Sequence, residues 1–158
     1  MFREMARKNK ALPKEECISI LKSELRGVLS VMGDGGYPYG MPINHFYNED
    51  DGHIYFHSGP TGHKIDAIRA CDKASYCVYD AGYKNEGEWA LNIRSVIVFG
   101  RIRIVEDRER AIDICRRLSY KFTSDDKYIE DEIAGHSARV LVFELIPEHM
   151  TGKLVNEA

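Results

Sequence analysis

The segment 55–66, YFHSGPTGHKID, concentrates residue types that can hold an anion. A β-prone run ends at His57 and Ser58, a small glycine-containing loop follows, and a helical pattern begins with His63 and Lys64 in its first turn. A helix N-terminus presents unpaired N–H groups and a partial positive charge, which suits a phosphate. Ser58 and Thr61 add hydroxyl donors, Lys64 a full charge, and His63 a ring donor near neutral pH. Gly59 and Gly62 let the backbone come close to a ligand. Neither GxxxxGK[ST] nor GxGxxG occurs here, and on physics alone the same residues also describe an ordinary exposed helix start.

Other candidate groups carry less. His45, His53 and His57 lie close in sequence, and His45 and His53 could meet across a hairpin, but their spacing matches no metal-ligand pattern and no metal is expected. Tyr37, Tyr39, Phe46 and Tyr47 could stack bases. A formal net charge of −3 and the lack of a basic groove argue against nucleic acid. The basic start MFREMARKNK and the acidic group Asp125, Asp126, Glu130, Asp131 and Glu132 read as solvated surface. Cys17, Cys71, Cys77 and Cys115 form no CxxC pair and read as buried free thiols.

Helices and strands must position these groups. With 158 residues, 44% of them hydrophobic and 30% charged, the chain fits one globular domain over 1–158. No apolar run is long enough to span a membrane and no signal-peptide core is visible, so the expected location is the cytoplasm. Residues 13–25 predict a helix with Pro13 in its first position and an apolar stripe of Cys17, Ile20, Leu21 and Leu25. Strands are expected at 27–32, 37–47, 53–58, 74–80, 93–107 and 137–150, the last ending near Pro147. Pro38 and Pro42 mark 37–47 as an edge or bulged strand, and Gly100 marks a bulge in the fifth. Helices are expected at 63–70, at 108–122, and at 124–137 with Ser124 as its cap. Six antiparallel-looking strands with outer helices argue for a closed or nearly closed barrel, although the pattern alone also suits a helix-flanked open sheet.

In several blocks taken in order, the sequence resembles the flavin-binding split-barrel superfamily of the pyridoxamine 5'-phosphate oxidases. The closer likeness is to its nitroimidazole-resistance-like branch. The blocks are MFREMARKNKALPKEECISIL, GVLSVMGDGGYPYGMPINHFY, IYFHSGPTGHKIDAIRACDKASYCV, RSVIVFGRIRIVED and HMTGK at 149–153. The resemblance implies a mainly β fold with flanking helices, a six-stranded antiparallel split barrel, and FMN bound between the subunits of a homodimer. It implies that Met41, Pro42, Ile43 and Asn44 run along the flavin, with Met41 where the oxidases place an arginine. His57 and Ser58 match the strand-end contacts, and His63 and Lys64 match the oxidases' Arg-Lys phosphate pair. Arg94 and Ser95 match a polar position on the later strand that reaches the flavin or its ribityl chain. Together with Thr61 and Gly62 these form the expected cofactor site.

FMN has a phosphate, a polyol and a flat amphipathic ring, and needs cations, small donors and an apolar strand face in return. The functional expectation is a reductase of small, electron-poor, nitroimidazole-like compounds. His57 is the residue expected to assist at the ring, or else to orient the cofactor. A non-enzymatic flavin or haem carrier or sensor is the alternative. The segment 149–153 is expected past the last strand, either near the flavin or as a structural tail.

Overall fold

The computed structural model describes residues 1–157 of the chain. Two-residue periodicity dominates, and every strand pairs antiparallel. The strands are β1 (Ala11–Leu12), β2 (Arg26–Met32), β3 (Pro38–Asn44), β4 (Phe46–Tyr47), β5 (Ile54–Ser58), β6 (Lys73–Tyr79), β7 (Leu91–Ile104) and β8 (Leu141–Glu157). They form one sheet in the order β3-β2-β6-β7-β8-β5-β4, with β1 added to β8. The outermost strands, β3 and β4, are separated in sequence by His45 alone, so the sheet must curl until its two edges meet there. This is the antiparallel split barrel expected from the sequence, built from eight strands rather than six. The expected strand 37–47 breaks at His45, and the short β1 was not foreseen.

The helices are α1 (Lys14–Ser23), α2 (His63–Ala70), α3 (Arg108–Ser119) and α4 (Asp126–His136). Pro13 is the N-cap of α1 rather than its first residue, and Leu25 lies beyond the helix, exposed. Asp125, not Ser124, caps α4 by accepting the Tyr128 N–H at 3.0 Å. Inside the barrel, Leu29, Val31, Phe56, Tyr76, Val96, Val98, Phe143 and Leu145 are buried with Cys17, Ile20 and Leu21 of α1 and Ile65 and Ile68 of α2. A smaller cluster of Tyr55, Val105, Ala111, Ile114 and Val142 seats α3 on the outside. Of the four free cysteines only Cys17 is fully buried, so the expectation of four buried thiols is corrected.

The chain's longest pairing is β7 with β8, which runs through Pro147 to Glu157 instead of ending there. The expected tail 149–153 is therefore strand: Met150, Thr151, Gly152 and Lys153 pair with Val98, Ile97, Val96 and Ser95. A bulge at Phe99/Gly100, where Phe99 faces His149 and Gly100 faces Pro147, absorbs the proline, which has no N–H to donate. A Cβ on Gly100 would lie 2.1 Å from the Ile146 carbonyl oxygen. Gly100→Ala is expected to destabilise the fold by about 3 kcal/mol or more, because the obstacle is backbone and cannot step aside. Urea unfolding checks this; a variant within about 0.5 kcal/mol of the parent would show that the bulge yields.

Candidate functional site

β5 carries His57 and Ser58 to the barrel mouth, and α2 plugs that mouth with Ile65, Ala67 and Ile68. The start of α2 has no side-chain cap. Its N-cap Gly62 sits at φ 120°, a backbone state L-residues avoid. The first internal bonds run from the Ile65 and Asp66 N–H groups to the Gly62 carbonyl, at 2.9 and 3.1 Å. The amides of His63 and Lys64 are left pointing out of the helix end. Around Gly59 and Gly62 the space is open. Lys64 is half-buried, has no hydrogen-bond or ion-pair partner among the described residues, and its pKa is lowered by burial. A phosphate fits this donor set: it would accept the free amides and give Lys64 its missing counter-charge.

The neighbouring donors are partly committed. Ser58 Oγ donates to the Gly59 carbonyl at 2.8 Å, and Thr61 is exposed. The His63 ring stacks on Tyr39 at 4.2 Å between centroids, and its Nε2 accepts the Asp34 N–H at 3.2 Å. That bond places the ring proton on Nδ1, so one nitrogen remains for a ligand. The sequence reading of His63 is thereby narrowed: half of its ring holds the turn between β2 and β3.

His57 lies on the other side of the loop, at a cavity of about 240 Å³ between β5 and the pair α3–α4. Cys115, Ile129, Glu132, Ile133 and His136 line it with His57. Desolvation, with the nearby Lys64 charge, lowers the His57 pKa, so its ring is neutral and proton-accepting at pH 7. The cavity joins an apolar wall to a few polar groups, the usual make-up of a small-molecule site.

The remaining predicted residues divide. On β3, Met41 and Ile43 face the core, so only their main chain is open to a ligand; Pro42 is exposed and Asn44 accepts from Arg26 Nε at 2.8 Å. Arg94 is tied to Asp80 at 2.8 Å, and Ser95 lies on the outer sheet face opposite Tyr79 and Lys153. Tyr79 is five residues along β6 from Ala74, which pairs with Val31 beside the β2–β3 turn. Ser95 is thus roughly 17 Å along the sheet from the turn that His63 touches. One chain does not bring Arg94 and Ser95 to Lys64.

The three histidines do not converge. His45 is wholly buried, with Nε2 donating to the Leu21 carbonyl at 2.6 Å and Nδ1 accepting from the Tyr76 hydroxyl at 2.7 Å. His53 Nδ1 bonds Glu144 at 2.9 Å. Asp51, His53 and Glu144 place ligand atoms within 4.8 Å of one another, but Arg103 and Arg110 already occupy the carboxylates at 2.7–3.3 Å.

Sequence reasoning missed Cys115, Glu132 and His136. Glu132 was assigned to solvated surface. The available signal was His136 four residues after Glu132, which puts both on one helix face, where they lie 3.7 Å apart.

Residues 13–154 match the family model described as pyridoxamine 5'-phosphate oxidase. A comparison with curated proteins finds no match. Among solved structures, a candidate 5-nitroimidazole antibiotic resistance protein from Bacteroides thetaiotaomicron superposes with a TM-score of 0.77 at 21% identity. The match covers 93% of this chain and 87% of that one. An FAD-binding protein from Mesorhizobium loti gives 0.64 at 24% identity, covering 92% and 97%. An FAD and haem binding protein from Mycobacterium smegmatis gives 0.72 at 16% identity, covering 92% and 73%. At these identities the likeness is one of fold.

Proposed function

This chain belongs to the pyridoxamine 5'-phosphate oxidase family, and from that premise we propose that it binds FMN and reduces small, electron-poor aromatic compounds of the nitroimidazole type. The observation that carries the reading is the uncapped start of α2 with, beside it, the half-buried Lys64, which has no partner among the described residues. Three neighbours of the same fold, named above, support it through what their descriptions say of flavin and nitroimidazole.

In this reading Lys64 and the amides of His63 and Lys64 hold the phosphate, with Thr61 and the free Nδ1–H of His63 beside them. The main chain of Met41 to Asn44 lies along the flavin, and Ser58 borders it. Bound flavin supplies two-electron transfer through its ring. His57, neutral at pH 7, offers an unprotonated ring nitrogen at the cavity and can hold a proton there for the substrate. Cys115, Ile129 and Ile133 exclude water from the cavity's far wall. The protein acts as a homodimer in the cytoplasm, and Arg94 and Ser95 serve the flavin of the partner subunit.

The visible spectrum of the purified protein, with the released cofactor identified by mass, tests the core of this. Flavin bands with the mass of FMN support it, and a colourless protein that takes up no added FMN overturns it. His57 and His136 on one cavity keep haem binding, without catalysis, as the second reading; a Soret band would select it. Lys64→Ala is expected to weaken FMN binding by about 1.5–3 kcal/mol, the worth of a charged hydrogen bond. Unchanged affinity in a flavin titration would remove Lys64 from the site.

A further inference from the structure

The loop between β6 and β7 is braced to hold aromatic rings out in solvent. Tyr83 and Asn92 exchange both backbone hydrogen bonds, each 2.9 Å, and the Asn92 side chain also donates to the Tyr83 carbonyl at 3.3 Å. Asn92 is buried, and Asn156 donates to its Oδ1 at 2.8 Å. Asp80 accepts from the Gly82 N–H, the Arg94 N–H and Arg94 Nε at 3.1, 3.0 and 2.8 Å. On this base Tyr79 and Tyr83 are at least half exposed, and Trp89, the only tryptophan of the chain, is 74% exposed. These cross-links fix the base of the hairpin at residues 80–83 and 92–94, and Trp89, beyond them, is left uncovered.

The sheet between this loop and the α2 end shows a second, partly uncovered surface, on which Phe2 of the same chain stacks over Phe99 and His149 at centroid distances of 5.7 and 4.9 Å. Across β2, β6, β7 and β8 the outward row Val28, Cys77, Ile97, Thr151 runs beside the row Ser30, Ser75, Phe99, His149. Val28, Ile97 and Phe99 are exposed. A second copy fits this face, because self-complementary apolar faces are what two-fold dimers bury. A two-fold axis lying in the interface and running across the strands exchanges the two ends. It sets the loop end of one copy against the α2 end of the other. Ser95, roughly 17 Å along the sheet from the β2–β3 turn in one chain, and Arg94 beside it are carried to the α2 end of the partner by the same operation.

We propose that Trp89 and Tyr83 of each subunit form the wall of the partner's substrate site, where they stack on a planar, electron-poor ring. Indole and phenol rings are electron-rich, suited to such a face-to-face contact. This rests on the dimeric flavin reading above and adds to it the residues that recognise the acceptor.

The test uses the flavin-loaded dimer in its oxidised state, so that nothing turns over. Binding of 2-nitroimidazole is followed by calorimetry. Trp89→Ala is expected to weaken it about tenfold with FMN content unchanged, and Trp89→Leu, which keeps an apolar side chain, nearly as much. Unchanged affinity in both variants overturns the proposal. A mixed dimer, carrying Lys64→Ala on one chain and Trp89→Ala on the other, then separates the two geometries. If the wall acts across the interface, the one site that keeps flavin has both residues intact, and it binds with parental affinity. If Trp89 acts within its own chain, that site binds with the weakened affinity, and the proposal falls. Failure of the parent protein to bind FMN would instead sink the functional reading, and this inference with it, before any variant is made.

Discussion

Glu144→Ala is expected to cost about 1.5–3 kcal/mol of folding stability, the worth of charged hydrogen bonds to a buried acceptor whose arginine partners keep much of their solvent. Glu144 is 1% exposed on β8, beneath α3. Its Oε1 accepts from Arg103 Nε at 2.7 Å, and its Oε2 from Arg110 Nη2 at 3.0 Å and His53 Nδ1 at 2.9 Å. Burial alone would raise its pKa. The hydrogen bonds from His53 and Arg103, with the charge of Arg110, outweigh that and leave it below the ordinary carboxylate value. Arg110 belongs to α3 and also contacts the Tyr55 hydroxyl and Asp51, so the carboxylate ties helix to barrel. Urea unfolding measures the loss, and hydrogen exchange should show α3 opening first. A cost under about 1 kcal/mol, with α3 as protected as before, would show that the small apolar cluster beneath the helix suffices.

The second large effect is acid sensitivity at the barrel's closing joint. His45 stands between β3 and β4, its Nε2 and Nδ1 both engaged, and Lys121 Nζ donates to its carbonyl at 2.8 Å. Burial, reinforced by the Lys121 charge, lowers its pKa to about 3. Lys121, partly buried itself, falls to about 8. A histidine with a depressed folded-state pKa is neutral in the native state, while the unfolded chain takes up a proton near pH 6.5. The unfolded state therefore binds more protons between about pH 6.5 and 3, and stability falls as pH falls through that window. The loss attributable to His45 is about 2.5 kcal/mol between pH 7 and pH 4.5. His45→Gln should be less stable at pH 7 and flatter with pH by this amount. Parallel pH profiles of parent and variant would refute the assignment.

What the sequence made legible was whatever announces itself within a few neighbours. The helix 63–70 was read to the residue, because Gly62 before it and the apolar spacing of Ile65 and Ile68 are local signals. The edge position of β3 followed from Pro38 and Pro42, four residues apart and so missing donors on one side of the strand. The small-residue loop 58–62 ahead of that helix was legible for the same reason. The joint at His45 was not, because nothing near it reveals that Leu21 and Tyr76 arrive from 24 and 31 residues away. The cavity behind His57 was hidden because its far wall comes from α3 and α4. Pro147 was read as a terminator, since a proline in a strand usually is one. The glycine opposite it, 47 residues earlier, is what lets the strand continue.

That bulge also fixes what a shift in reading phase would do. Before it, the odd residues Phe143 and Leu145 face the barrel interior; after it, the even residues Met150 and Gly152 pair with the inward Val98 and Val96. Glu148 is the extra residue that changes the parity. Loss of its single codon would only regularise the ladder, with Pro147 and His149 falling on consecutive positions opposite Gly100 and Phe99 and Met150 and Gly152 still inward, whereas loss of Thr151 would turn everything beyond it to the opposite face. The strand thus behaves as two separately phased segments, one answering to the helix above it and one to the open face, and the bulge between them is the one place where the chain can lose a residue without turning a face over.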